Sequence, residues 1–529
     1  MKRLAALAAL AADASNAAAG SRTARGTAVA RLLLAGVLGI AHTQAFAPHD
    51  WWWLQTLSLA GLLALVAGTS RPRTAAATGF AFGLGWFLSG IWWLYISMHV
   101  YGEMPAWMAG LAVVLFSAYL SIYPALATAA WQWLATRLPR TALVPALAFG
   151  AVWGLSEWLR GVVFTGFPWL AGGYAHADGP LAGFAPVIGV YGIGALSAVV
   201  AGLVLAAARG YGRKERLAGH KALAPAVALL VAGSALATVA WTTPAGKRIS
   251  VRLLQGNVAQ DIKFENTGVQ ASIRLYQEMI TAVPADLVVT PETAFPIFLQ
   301  DIPVDTAKAI RQFIDSSGST VLFGAAGADS QVDFTNSLFA LGPLTPQLYR
   351  YDKHHLVPFG EFIPFGFRWF VDMMKMPLGD FRHGGLAQAA LPVRGVLVAP
   401  NICYEDLFGE EIAQTLRNQP KTANILANST NLAWFGDTIA LEQHLQISRM
   451  RALETRRPML RATNTGMTAV VTPDGKVPAR LDTFQIGTLT ANVQGMQGLT
   501  PYIRFGNVPV LAACAIMLAF AVWRARRKE

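Results

Sequence analysis

Cysteine and charge are what this chain has least of. Two cysteines in 529 residues cannot build a disulfide framework. Cys514 falls in the apolar run 508–523 and reads as a small buried hydrophobe, which leaves Cys403 as an unpaired thiol. Charged residues make up 14% of the chain against 54% hydrophobic, and the mean hydropathy is +0.41. A soluble globular protein carries about 25% charged residues, so much of this chain belongs in lipid. The net charge of +12 does not call for a polyanionic partner. From Lys247 to Arg504, 23 basic residues balance 23 acidic ones. The excess therefore sits in the hydrophobic parts, where basic residues mark cytoplasmic loops, and no nucleic acid is expected. Adjacent His354 and His355 lack the spacing to ligate a metal from one face of a strand, and no other His, Cys or Asp cluster supports zinc. Neither a metal nor a cofactor is expected.

What the chain does have is long apolar runs. Eight lie near 27–46, 51–69, 75–98, 105–135, 141–160, 180–208, 222–242 and 508–523. Most approach the roughly 20 residues that cross a bilayer as a helix. Of the 19 basic residues in these parts, 18 fall on one side of the predicted membrane and only Arg160 on the other. The positive-inside rule then puts both termini in the cytoplasm and the block between helices seven and eight outside it. The expected organisation is a cytoplasmic extension (1–26), a membrane domain of seven helices (27–242), an extracytoplasmic domain (247–505), an eighth helix (508–523) and a basic cytoplasmic tail (524–529). The Ala-rich start faintly resembles a signal peptide, but cleavage would invert every loop, so it reads as uncleaved. Glu157 and Arg160, one helical step apart, are expected to pair with each other rather than to mark a transport path.

The block 247–505 alternates short β-type runs with helical ones. Strands are expected at 249–255, 286–290, 320–326, 336–341, 347–351, 395–401, 423–428, 459–463, 467–472 and 487–492. Val269, Ile273, Tyr276, Ile280 and Val283 recur at helical spacing, as do Val304, Ala307, Ile310 and Ile314. Strands apolar on both faces imply sheets covered by helices. Three of these runs end in chemistry: Thr290-Pro291-Glu292, Tyr351-Asp352-Lys353 and Asn401-Ile402-Cys403-Tyr404-Glu405-Asp406. A carboxylate, an ammonium and a thiol at three strand ends can supply a base, an oxyanion donor and a nucleophile.

Pro291-Glu292, Asp352-Lys353 and Ile402-Cys403-Tyr404-Glu405 resemble the Glu-Lys-Cys triad of the nitrilase (carbon–nitrogen hydrolase) superfamily, in the same chain order. With eight membrane helices and the domain between the seventh and eighth, the chain is similar to the apolipoprotein N-acyltransferases. Thr165-Gly166-Phe167-Pro168-Trp169, Asn336-Ser337 and His355-Leu356-Val357-Pro358-Phe359-Gly360-Glu361 also match that family. The resemblance implies a polytopic α-helical bundle joined to an α/β domain with the α-β-β-α sandwich fold. It implies an enzyme of the bacterial inner membrane, its catalytic domain periplasmic. Cys403 would take the sn-1 acyl chain of a membrane phospholipid as a thioester. The α-amino group of a diacylglyceryl apolipoprotein would then receive it. In this scheme Glu292 is the base, and Lys353 with a backbone N–H near Tyr404 holds the oxyanion. Asn336, Glu361 and Glu405 support them. The aromatic and Met-rich stretch after Glu361 (Phe362, Phe365, Trp369, Phe370, Met373, Met374) would form a mobile lid touching the bilayer. The chain is expected to act as a monomer. One departure stands out: where the family often has Gln-x-x-Lys-Trp, this chain has Gln260-Asp261-Ile262-Lys263-Phe264. The alternatives are a membrane-anchored amidase using the same triad on a small amide, for which eight helices are superfluous, and a receptor that kept the fold, which an intact triad disfavours.

Overall fold

The computed structural model describes residues 26–69, 71–139, 141–330, 333–368 and 381–526. All eight apolar segments fold as helices: α1 (Gly26–Thr43), α2 (Trp52–Ala67), α3 (Pro72–Gly90), α4 (Ala106–Ala135), α5 (Leu143–Val162), α6 (Ala185–Gly212), α7 (Arg216–Ala237) and, at the far end of the chain, the helix Val508–Arg526. Four are long and apolar enough to cross a membrane: α1, α4, α6 with its leading turn (Pro180–Gly212), and α7. A fifth results if α3 and Leu94–Tyr101, bent by 62°, are one span. The expected unbroken helix over 75–98 is thus corrected. The Trp93 indole N–H donates to the freed carbonyl of Gly90 at 3.1 Å and also reaches Gln443 Oε1 at 3.3 Å, so the break is capped and tied to the other half of the molecule. Small residues bring α3 onto α4: a Cβ on Gly79 would lie 2.5 Å from the Pro124 carbonyl oxygen.

The Glu157–Arg160 pair expected from their spacing does not form. The Glu157 carboxylate accepts the Gly172 N–H at 2.9 Å, while Arg160 donates to the carbonyls of Phe167 and Trp169. The chain folds back directly after α5, and its unpaired backbone groups outcompete the neighbouring side chain.

Among the described residues, twelve strands build two six-stranded sheets. The first has the order β12-β1-β2-β3-β4-β5, from β1 (Thr243–Gln255), β2 (Leu287–Val289), β3 (Thr320–Ala328), β4 (Phe334–Gly342), β5 (Thr345–Asp352) and β12 (Gly487–Gln497). The second has the order β11-β10-β9-β8-β7-β6, from β6 (Leu391–Val393), β7 (Val396–Ile402), β8 (Ile425–Thr430), β9 (Met459–Thr463), β10 (Ala469–Val471) and β11 (Ala479–Arg480). Alternation sorts their side chains. Val251, Leu253, Leu287 and Val289 face Val398, Ile402, Ile425 and Ala427 across the inter-sheet core. Leu254, Val288 and Val321 point outward onto α8 (Asn266–Thr281) and α9 (Val304–Ser317) through Ile273, Ile280, Ile310 and Ile314. Leu426, Met459 and Val471 point outward onto α10 (Gly409–Asn418) and α11 (Ile439–Thr455). The layers are therefore α-β-β-α.

Helix α11 joins the halves, and apolar and polar residues alike are buried around its circumference. One side covers the second sheet. From the other, Glu454 accepts the Val190 N–H at 2.8 Å, and the Gln446 amide donates to Asp50 at 2.7 Å. The backbones entering and leaving the α/β part pair with each other, Thr243 opposite Gln497.

Candidate active site

Strands β1, β2 and β3 run parallel, as do β7, β8 and β9. β5, antiparallel to β4, regains the direction of β3. Residues just past the C-terminal ends of such strands share one edge, where open α/β sheets place their ligands. Glu292 follows β2, Lys353 follows β5, Cys403 follows β7 and Asn431 follows β8. The two sheets are stitched there: Ser429 Oγ donates to the Thr290 carbonyl at 2.8 Å, and the Asn431 N–H to Glu292 Oε2 at 3.0 Å.

Lys353 is 1% exposed. Its ammonium lies 2.9 Å from Glu361 Oε1 and 3.4 Å from Glu292 Oε1. Asn336 Nδ2 donates to both of those oxygens at 2.7 Å, so one amide fixes two carboxylates. The second Glu361 oxygen accepts the Val357 N–H at 2.8 Å. Burial alone would lower the Lys353 pKa, but Glu361, Glu292 and Cys403 together hold it above the ordinary lysine range.

Cys403 has φ +50° in the turn between β7 and the short helix Cys403–Leu407, a left-handed conformation that costs a non-glycine residue free energy. Glu405 holds that turn. Its carboxylate accepts the N–H groups of Ile402 (2.5 Å), His354 (2.7 Å) and His355 (3.2 Å), and the Tyr351 hydroxyl at 3.0 Å. The lysine and cysteine segments are thereby clasped by one side chain. Asn428 donates to the Cys403 carbonyl at 3.1 Å. Burial first, then the Glu292 carboxylate, push the thiol up to about 12, with Lys353 opposing. The thiol is thus protonated at neutral pH and needs a base to become a nucleophile. A carboxylate, a fixed ammonium and a thiol in one dry site can carry out acyl transfer.

The residues singled out from the sequence fall into three groups. Glu292, Lys353, Cys403, Asn336, Glu361 and Glu405 come together. The Tyr404 side chain turns away, its hydroxyl donating to the Gly166 carbonyl at 3.0 Å. Of the lid stretch, Phe362 is half-buried and Phe365 fully exposed, while Trp369, Phe370, Met373 and Met374 lie outside the described residues. Phe264 is exposed.

Three residues went unassigned in the sequence. Lys263 is buried with its ammonium 3.4 Å from the Glu292 carbonyl; burial lowers its pKa to about 8, with Glu292 opposing. Asn431 links Glu292 to Gln260, whose amide oxygen it reaches at 2.8 Å. His444 is buried beside Asp406 of the short helix that begins at Cys403, Nε2 to Oδ1 3.2 Å. The run Ser429-Thr430-Asn431 at the end of an apolar strand was the available signal for Asn431. Lys263 stands in the Gln260-Asp261-Ile262-Lys263 stretch already matched to the family's Gln-x-x-Lys setting, whereas nothing local marks His444.

The sandwich and the strand-end cluster define a carbon–nitrogen hydrolase fold, and the Carbon-nitrogen hydrolase family model matches residues 251–502. The model of the apolipoprotein N-acyltransferase N-terminal domain matches residues 38–203. The apolipoprotein N-acyltransferase of Ralstonia nicotianae is 64% identical over 96% of this chain and 97% of its own. Those of Nitrosomonas europaea (42% identical; 94% and 99% covered) and Chromobacterium violaceum (43%; 94% and 95%) align over similar spans. The chain belongs to the apolipoprotein N-acyltransferase family, acyltransferases of the carbon–nitrogen hydrolase superfamily. An amidase structure from Nesterenkonia is 16% identical, covers 50% of this chain and 95% of its own, and has a TM-score of 0.37, too low to add to the assignment. The relatives match the helical part as well as the α/β part, so the amidase alternative is set aside.

Proposed function

We propose that the chain moves the sn-1 acyl group of a membrane phospholipid to the α-amino group of a diacylglyceryl apolipoprotein through a thioester on Cys403. Glu292 takes the thiol proton as sulfur attacks the ester carbonyl. Lys353 and the Tyr404 N–H stabilise the tetrahedral oxyanion. The C–O bond breaks, and the lysophospholipid alkoxide leaves with the proton from Glu292. In the second half the acceptor amine attacks the thioester, Glu292 takes its proton, a C–N bond forms, and the thiol regains its hydrogen. The observation that carries this reading is the convergence of Glu292, Lys353 and Cys403 at the edge where the sandwich meets the apolar helices. There the residue after the nucleophile is hydrogen-bonded to the loop following α5. The eight helices are read as transmembrane, both termini cytoplasmic and the sandwich periplasmic. The loop beginning at Phe362 is read as an entry lid, for which the fully exposed Phe365 is the supporting observation.

The test is intact-mass analysis of the purified protein. A hydroxylamine-sensitive fatty acyl adduct on Cys403 is expected, together with at least about a hundredfold loss of transfer in Cys403→Ser, since the hydroxyl lacks a base strong enough to activate it. Substantial transfer by the serine variant would exclude the mechanism. A small acyl adduct in place of a fatty one would return the amidase reading.

A further inference from the structure

Arg160, near the end of α5, is 2% exposed. Among the described residues no carboxylate lies within ion-pair distance of its guanidinium; Glu157, one turn earlier, is engaged with Gly172. Nη1 donates to the carbonyls of Phe167 at 2.6 Å and Trp169 at 2.7 Å. The guanidinium lies over the rings of Trp86 and Phe87, 5.6 and 5.2 Å from their centroids. A cation buried in an apolar bundle is costly even with the Glu157 carboxylate nearby to offset part of its charge. Its retention points to what it holds.

That is the loop between Gly166 and Trp169, which touches the nucleophile's neighbours twice. Gly166 has φ +83°, and a Cβ there would sit 1.9 Å from the Gly161 carbonyl oxygen, so the backbone has one shape available and only glycine fits it. Its carbonyl accepts the Tyr404 hydroxyl at 3.0 Å, and Tyr404 directly follows Cys403. The Trp169 indole N–H donates to Gln443 Oε1 at 2.7 Å. Gln443 precedes His444, whose Nε2 lies 3.2 Å from Oδ1 of Asp406 on the short helix that begins at Cys403. Both ties end beside the strained turn whose peptide groups must face the oxyanion.

We propose that Arg160 is a positioning residue for acyl transfer. By fixing the Phe167 and Trp169 carbonyls it presents the Gly166 carbonyl to Tyr404, and so holds the Cys403–Tyr404 peptide N–H in line for the oxyanion. The proposal rests on Cys403 being the nucleophile. A cation in the helical part thus sets the geometry of a reaction that takes place in the sandwich.

The experiment compares Arg160→Met, Arg160→Lys, Tyr404→Phe and the Met/Phe double variant, with Cys403→Ser alongside. The readouts are kcat and KM for Cys403 acylation from phosphatidylethanolamine vesicles and from a short-chain p-nitrophenyl ester. Iodoacetamide alkylation of Cys403 is followed by peptide mapping. Arg160→Met should lower kcat roughly 10–100-fold on both donors with KM within about twofold, because a misaimed oxyanion donor weakens only the transition state. Alkylation, which needs no oxyanion donor, should keep the wild-type rate. The double variant should be no slower than the slower single variant, and Arg160→Lys should recover part of the rate. Losses that multiply in the double variant would overturn the proposal; so would a loss confined to KM for the vesicles, a parallel loss of alkylation, or wild-type kcat. If Arg160→Met fails to fold, the same cycle is read with Arg160→Lys and Tyr404→Phe. An active Cys403→Ser would instead overturn the nucleophile assignment itself.

Discussion

Glu361 is the closest ionic partner of Lys353: Oε1 lies 2.9 Å from the ammonium, against 3.4 Å for Glu292. The lysine is therefore neutralised mainly by Glu361 rather than by the proposed base. Glu292 keeps its second oxygen on the Asn431 N–H and its first shared with Asn336. Division of labour between two carboxylates lets the ammonium stay charged without capturing the base.

Glu361→Gln should unbalance that division. With Glu361 neutral, Lys353 would pair more closely with Glu292 and make it a poorer proton acceptor. Acylation should fall roughly a hundredfold, and the loss of one partner from a buried ion pair should cost about 2 kcal/mol of stability, below the full penalty because Glu292 remains. Single-turnover acylation and a thermal melt measure both, and near-wild-type values in each would remove Glu361 from this role.

The raised Cys403 thiol predicts slow alkylation at neutral pH. Since the folded pKa, about 12, exceeds the ordinary value of 9.0, the thiolate fraction is smaller in the folded protein than in the unfolded chain from neutral pH upward. In Cys514→Ala protein without donor lipid, the iodoacetamide rate should keep climbing above pH 11, whereas in the denatured protein it reaches half its limit near pH 9 and has levelled off by about pH 10–11. A plateau below pH 8 in the folded protein would contradict the shift.

Lys263→Met should separate stability from activity. Burial depresses its pKa from 10.5 to about 8, so between those values the unfolded chain binds more protons than the native one. Stability from this group rises with pH across that window, and the cost of burying the charge is greatest below pH 8. Removing the charge should raise Tm at pH 7, and the gain should shrink by pH 10. Transfer should fall about tenfold, because the Glu292 main-chain carbonyl loses the buried ammonium that anchors it. A lower Tm at pH 7 than at pH 10 relative to wild type would reverse the sign and refute the argument.

Topology is tested with single cysteines at Ser330 and Gly212, both exposed, in a background lacking Cys403 and Cys514. A membrane-impermeant thiol reagent should label Ser330→Cys in cells with a permeabilised outer membrane, and Gly212→Cys only after the inner membrane is opened. Equal labelling of both positions would exclude a periplasmic sandwich.

Local sequence carried much of the architecture. Apolar runs located all eight helices, though the end of the third and both ends of the seventh were misplaced by five to eight residues, and ten of the twelve strands were read from their apolar patterning. The missed strands, β6 and β11, span three and two residues, too short to show a period. The break after Gly90 was missed because hydropathy continues through Ile91-Trp92-Trp93.

The candidate triad was legible for a related reason, and its supporting carboxylates through the family resemblance. A residue that follows an apolar strand must lie at a sheet edge, and polar residues placed there stand out against the run before them. Sequence alone therefore determined the layers, the apolar helices, and Glu292, Lys353 and Cys403 as the residues to watch. Which group each side chain meets was decided only by the tertiary structure. Glu157 and Arg160 have the spacing of a helical pair, yet each is claimed by a backbone group of the loop that folds back over them. Lys263 has no partner in its own segment's pattern, yet the fold buries it against the Glu292 main chain. Tyr404 and Gly166 are 238 residues apart and touch only when the sandwich seats on the helices. Periodicity reports the environment averaged along one element, whereas a hydrogen bond depends on two elements arriving within about 3 Å of each other, and no local pattern encodes that distance.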